Sequence, residues 1–208
     1  LYQSQQSPAK RVVLRAATHW TMGDRAEGGV NPLTVFSNCD EVEVIVGQTS
    51  VGRFHPDHDT YPNLPHPPFT IHGLDEYSAW GQAEFYDLQL VGYLDGERVA
   101  EQWIASSRLP HTLELSTDTD QIYADGADMT RLIFRITDEF GNPLPYATKV
   151  VTFELEGEAD LIGENPFPLI GGQAALYVKA RHRPGSVVIR AQASGLPEAS
   201  VTLDIVPV

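Results

Sequence analysis

Cysteine is almost missing from this chain. Cys39 stands alone among 208 residues, so no internal disulfide can form. That leaves the compartment open, because cytosolic proteins and many exported bacterial β-domains both lack disulfides. Basic residues are scarce as well: 14 Lys and Arg face 28 Asp and Glu, a formal charge of -14. Phosphate backbones and anionic membrane surfaces would be repelled, which excludes nucleic acid and membrane surfaces as expected partners. No apolar run approaches the roughly 20 residues that a helical span needs. No basic-then-apolar leader opens the chain, which begins at Leu1. It reads as a soluble piece cut from something longer. Also missing are a Gly-x-Ser-x-Gly elbow and a phosphate-cradling glycine loop, so nucleophilic and phosphoryl-transfer chemistry lack their usual supports.

What is present is period-two alternation. In "NCDEVEVIVGQTSVGRF" (38–54), Val42, Val44 and Val46 fall on one strand face, with Glu41, Glu43 and Ile45 on the other. Gly47-Gln48 sits where a two-residue hairpin turn belongs, and Gly in first place suits type II′. In "LVGYLDGERVAEQWIA" (90–105), Asp95-Gly96 favours type I′. "RVVLRAATHW" (11–20) and "NPLTVFSN" (31–38) read as earlier strands. "HPDHDTYPNLPHPPF" (55–69) carries five prolines and reads as a long surface loop. "LDEYSAWGQAEF" (74–85) is ambiguous between a loop and a short helical turn. The rhythm restarts near residue 111 and supplies about seven further strands. Leu132, Phe134 and Ile136 alternate along one of them, and Val151, Phe153 and Leu155 along another. The spacing predicts an all-β chain of two tandem immunoglobulin-like β-sandwiches, residues 1–110 and 111–208. Each half holds 14 acids and 7 Lys or Arg, so neither is a charged tail.

Several residue groups invite chemistry. Glu41 and Glu43 are two apart on a strand, so both point to one side, and glycoside hydrolysis needs two carboxylates. Their alternation with valines reads as a solvated outer face instead. His55, His58, His66 and His72 cluster with Asp57 and Asp59, and His55 and His58 are candidate metal ligands. Their proline-rich setting reads as surface loop, and no cofactor is expected. "DTDQIYADGAD" (118–128) resembles a calcium loop until its fifth position, where Ile122 replaces an oxygen ligand; a polar turn is the better reading. Trp80 and Trp20 are candidate carbohydrate platforms, because sugar C–H faces stack on flat aromatics. Trp103 reads as core. Asp40 and Glu41 beside Cys39 would raise a thiol pKa, so an activated thiolate is not expected.

"YQSQ" (2–5), "RAATHW" (15–20), "NPLTVFSNCDEVEVIVGQTSVGRF" (31–54) and "LVGYLDGERVAEQ" (90–102) resemble the region that follows the catalytic barrel in glycoside hydrolase family 2, as in its bacterial β-galactosidases. The match covers Ser37 to Glu43, Ser50 and Gly52. It departs at Gly47-Gln48, where that family has Asn-Gly, a swap of one hairpin turn for another. "ADGADMTRLIFRITDEFGNPLPYA" (124–147) and "GSVVIRAQASGL" (185–196) are similar to the invasin-type bacterial immunoglobulin-like domain, which also occurs in adhesins. The resemblance implies a non-catalytic fragment whose partner is the barrel of the same parent chain. It implies homo-oligomers only through that parent. Its catalytic glutamates would lie on the barrel, and no residue of this chain matches them. Cys39 then reads as a small apolar filler, and a carbohydrate-binding module or an adhesin-like spacer are the competing functions.

Overall fold

The computed structural model describes residues 1–17, 20, 32–74, 77, 86–107 and 109–208. The chain divides into two compact units, Leu1–Arg108 and Leu109–Val208. Most of the stretch 74–85, including Trp80, lies outside the described residues.

The first unit opens with a 3₁₀ turn, Tyr2–Gln5. Its strands are β1 (Leu14–Ala16), β2 (Leu33–Ser37), β3 (Glu41–Val46), β4 (Thr49–Phe54), β5 (Phe69–Ile71), β6 (Leu88–Leu94) and β7 (Glu97–Ile104). They form two antiparallel sheets, ordered β1-β2-β5 and β4-β3-β6-β7. The core lies between them. Leu33 and Val35 from β2 and Phe69 and Ile71 from β5 meet Val42, Val44 and Val46 from β3 and Leu88 and Leu90 from β6. The valine face of the β3–β4 hairpin is therefore the buried one. Gly47 has φ +61° and Gln48 does not share the positive φ, the type II′ pattern. Asp95 (φ 51°) and Gly96 (φ 81°) are both positive, as type I′ requires.

The second unit contains β8 (Thr112–Thr117), β9 (Gln121–Tyr123), β10 (Met129–Thr137), β11 (Thr148–Glu156), β12 (Ala159–Ile162), β13 (Phe167–Ile170), β14 (Gln173–Ala180), β15 (Gly185–Ala193) and β16 (Ala199–Val206). The sheets run β12-β14-β10-β8 and β13-β11-β15-β16-β9. Strands β8, β10, β14 and β12 take the A, B, E and D places of an immunoglobulin sandwich, and β11, β15 and β16 the C, F and G places. β9 crosses to the second sheet and pairs in parallel with β16. Phe134 sits at the centre of the core, edge-on to both Phe153 and Phe167. More strands are present than the sequence rhythm predicts, because β9, β12 and β13 are too short to show an alternation. The all-β, sandwich reading holds for both units.

Candidate functional site

Among the described residues, a network of polar side chains lies on the outer face of the sheet β4-β3-β6-β7, and register explains it. Residues directly opposed across strands share a face. Glu43 stands opposite Arg53 on β4 and opposite Val91 on β6, while Glu41 stands opposite Tyr93. The long side chains then reach diagonally. Tyr93 Oη donates to Glu43 Oε2 at 2.7 Å, and Ser50 Oγ donates to Glu43 Oε1 at 2.7 Å. Arg53 Nη1 donates to Glu41 Oε2 at 3.4 Å, and its Nε lies 3.8 Å from Glu43 Oε2. The guanidinium carbon sits 3.9 Å from the centroid of the Tyr93 ring, a cation–π contact. On the β7 side of the same face, Glu101 accepts hydrogen bonds from Gln89 and Arg98.

The electrostatics follow from these contacts. The hydroxyls of Ser50 and then Tyr93 stabilise the ionised form of Glu43 and hold its carboxyl below the usual range. Reciprocally, the hydrogen bond to Glu43 pushes the Tyr93 phenol up. A general acid needs a carboxyl raised towards neutral pH, and Glu43 is moved the other way. Glu41 and Glu43 thus share one arginine rather than forming an acid–base couple. They are also less solvated than their alternation predicts, with side chains 30% and 18% exposed, because Arg53 and Tyr93 cover them. Trp103 stands opposite Gln89 on this outer face and is half-buried, so its expected place in the core is not the one it takes.

Other sequence candidates separate. Trp20 is fully buried, and its indole N–H donates to the Tyr86 carbonyl at 2.8 Å. No face of that ring is open to a sugar, which corrects the platform expectation for it. His55 is exposed and its Nε2 lies 3.8 Å from Glu41 Oε1, so it extends the polar network. His58 lies in the exposed turn of the 55–68 loop. Among the described residues no group of three or more His, Cys, Asp or Glu is arranged to hold a metal ion. The acidic stretch 118–128 contains β9, with Asp118 paired to Arg131 before it and a turn closed by its own carboxylates after it. Asp125 Oδ1 accepts the amides of Ala127 and Asp128, and Asp128 Oδ2 accepts that of Tyr123. Cys39 is buried, and burial is the first cause that raises its thiol pKa.

The sequence reading missed what Ser37 and Asn38 do. Asn38 is buried, its Oδ1 accepting from Val13 N at 2.8 Å and its Nδ2 donating to the carbonyls of Gln6 (3.0 Å) and Arg11 (2.8 Å). Ser37 Oγ donates to Val13 O at 2.7 Å. The pair fastens the segment before β1 to the β2–β3 corner. A buried Asn-Cys step between two strands is the signal that could have pointed to this clamp.

Residues 113–202 match the family described as "Glycoside hydrolase family 2 C-terminal domain 5", and residues 28–100 match "Domain of unknown function (DUF4982)". A β-galactosidase of Thermoanaerobacter pseudethanolicus is 40% identical over 172 residues, 81% of this chain and 23% of that protein. A β-galactosidase of Rhizobium meliloti is 36% identical over 211 residues, 99% of this chain and 27% of that protein. The chain thus spans about a quarter of the length of the curated relatives it matches. In fold it is similar to a β-glycosidase from Bacteroides vulgatus, with a TM-score of 0.68 at 19% identity, covering 98% of this chain and 26% of that one. Residues 113–202 thus form a C-terminal domain of glycoside hydrolase family 2, and the sequence likeness to β-galactosidases runs through both sandwiches.

Proposed function

We propose that this chain is a non-catalytic part of a family 2 β-galactosidase and that it buttresses the catalytic barrel of the same polypeptide. The observation that carries this reading is its coverage. At 36–40% identity it accounts for only about a quarter of each of two β-galactosidases. The state of its acids supports the same reading, since the paired carboxylates Glu41 and Glu43 are held by Arg53 and Glu43 is kept ionised. The O-glycosyl hydrolysis of the parent then belongs to residues elsewhere in that polypeptide, and the two sandwiches contribute rigidity around them. The test is an assay of the purified chain on a nitrophenyl β-galactoside, beside the longer polypeptide that contains it. The expected result is turnover by the longer form alone. Hydrolysis by the isolated chain above background, or none by the longer form, would overturn the proposal.

A further inference from the structure

The outer face of the sheet β4-β3-β6-β7 changes character towards β7. Register lays its side chains out in rows. Glu41, Tyr93 and Arg98 form one, Glu43, Val91 and Glu101 the next, and Ile45, Gln89 and Trp103 the third. On the β3–β4 side the carboxylates of Glu41 and Glu43 are taken up by Arg53, Ser50 and Tyr93. On the β7 side acceptors remain. Gln89 Nε2 donates to Glu101 Oε2 at 3.1 Å, and Arg98 Nη2 donates to the same oxygen. Among the described residues no donor reaches Glu101 Oε1 or Gln89 Oε1. The side chains of Arg98 and Glu101 are 54% and 46% exposed.

Trp103 adjoins these acceptors. It lies two residues from Glu101 on β7, on the same face, and directly opposite Gln89 on β6. Opposed Cβ atoms of an antiparallel pair are about 4.5–5.5 Å apart, so the indole starts beside the Gln89 amide. The ring is only half-buried, although a tryptophan carries one of the largest apolar surfaces of any side chain. The face therefore combines a partly exposed apolar plane, two acceptor oxygens and a guanidinium. Its complement is a molecule with one apolar flat side and a rim of hydroxyl groups. A pyranose ring has that form: its C–H face packs on an aromatic plane, and its hydroxyls donate and accept at the edges. Charge narrows the class. The chain carries a formal charge of -14, and Glu101 itself faces outward, so a carboxylated or sulfated sugar is repelled.

From this arrangement we infer that Trp103, Gln89, Arg98 and Glu101 form a binding site for a neutral saccharide, one pyranose ring packing on the indole while its hydroxyls donate to Glu101 Oε1 and Gln89 Oε1. The platform role expected of Trp20 passes to the tryptophan that the sequence pattern assigns to the core. The four side chains stand on β6 and β7, whose pairing fixes their spacing, and sites built on strands hold their geometry better than sites on loops. The exposed Arg98–Glu101 ion pair contributes little by itself, so Arg98 turns towards a sugar hydroxyl at small cost. The inference is independent of the buttressing role, since it concerns one face of the first unit and asks nothing of a catalytic centre.

The test is an NMR titration of the nitrogen-15-labelled chain with cellotetraose and, separately, with a β-1,4-linked galactotetraose. The expected result is a saturable shift of the Trp103 indole N–H and the Gln89 side-chain amide with at least one of the two probes. Trp103→Ala should then weaken binding at least about ten-fold, the loss of the packed ring. Glu101→Ala should weaken it roughly three-fold or more, the loss of one hydrogen bond. Glu101 is exposed, where substitutions scarcely alter stability, so this variant keeps the test decisive if Trp103→Ala does not fold. No shift up to the solubility limit of both probes overturns the site. So do shifts centred on residues outside β6 and β7, or affinity unchanged in the folded variants. Tighter binding of tetragalacturonate than of either neutral probe overturns the assignment to a neutral ligand.

Discussion

The sulfur of Cys39 fills the space that a side chain at Gly92 would need. A Cβ placed on Gly92 would lie 2.6 Å from Cys39 Sγ and 3.6 Å from the Ala100 Cβ. Cys39 follows β2 and Gly92 lies within β6, opposite Val42, so the contact fixes how closely the β2–β3 corner approaches the sheet. Gly92→Ala is expected to destabilise the chain by about 1–3 kcal/mol, the range for overpacking. Cys39→Ala removes the sulfur and leaves ordinary contacts, 3.5 Å to the Cβ of residue 39 and 3.6 Å to that of Ala100. The double variant should therefore be more stable than the sum of the two single effects, a coupling that urea denaturation of all four proteins would measure.

The Asn38 clamp makes a sharper demand on chemistry. Asn38→Ala leaves the Val13 amide and the Gln6 and Arg11 carbonyls without this partner. Unmade buried hydrogen bonds cost about 1–3 kcal/mol each when no water replaces them. A loss of roughly 2–4 kcal/mol is expected, allowing for partial hydration of that edge. Asn38→Asp keeps the shape but turns two donated bonds into oxygen facing oxygen, so at neutral pH it should be worse than alanine. Denaturation midpoints for the two variants decide the order.

Much of this fold is written in the alternation. Val42, Val44 and Val46 announce their buried face, and Gly47 and Asp95-Gly96 announce their turns, because side-chain period and backbone sign at a turn are local properties. β9, β12 and β13 were not legible, since three or four residues cannot show a period and their pairing partners are distant in sequence. The polar face was only half legible. Glu41 and Glu43 are visible as outward residues, but their partners Arg53 and Tyr93 come from two different neighbouring strands and depend on register. Trp20 was misjudged for a related reason. Nothing next to it in sequence indicates that the Tyr86 carbonyl will receive its N–H.

Trp20 carries a spectroscopic test of that correction. A fully buried indole emits at short wavelength and is shielded from quenchers. Trp20→Phe should lose the component least accessible to acrylamide, together with about 0.5–1.5 kcal/mol for its hydrogen bond and a further packing loss. Galactosides added to the native protein should leave that buried component unchanged. A saccharide-dependent shift confined to Trp20 would show that the ring becomes accessible after all.

The hydrogen bond between Tyr93 and Glu43 supplies a pH dependence with a defined sign. Glu43 is held below its ordinary value of about 4.3, first by Ser50 and then by Tyr93. A carboxyl depressed in the folded state contributes stability that is present above its unfolded pKa and disappears as pH falls through the folded one. Tyr93 is raised, first by the bond to Glu43. Its contribution is present below the ordinary phenol range and disappears as pH rises through the elevated value. The pair therefore stabilises the first unit across the neutral range and weakens it at both extremes. Ser50→Ala should move the Glu43 titration upward more than Tyr93→Phe does, following the order of the two causes, and Tyr93→Phe alone should also remove the alkaline arm. Carbon-detected NMR titration of the Glu43 carboxyl follows the acid side, and the denaturation midpoint against pH follows both. If neither variant moves the Glu43 titration, the two hydroxyls do not hold this carboxylate in solution.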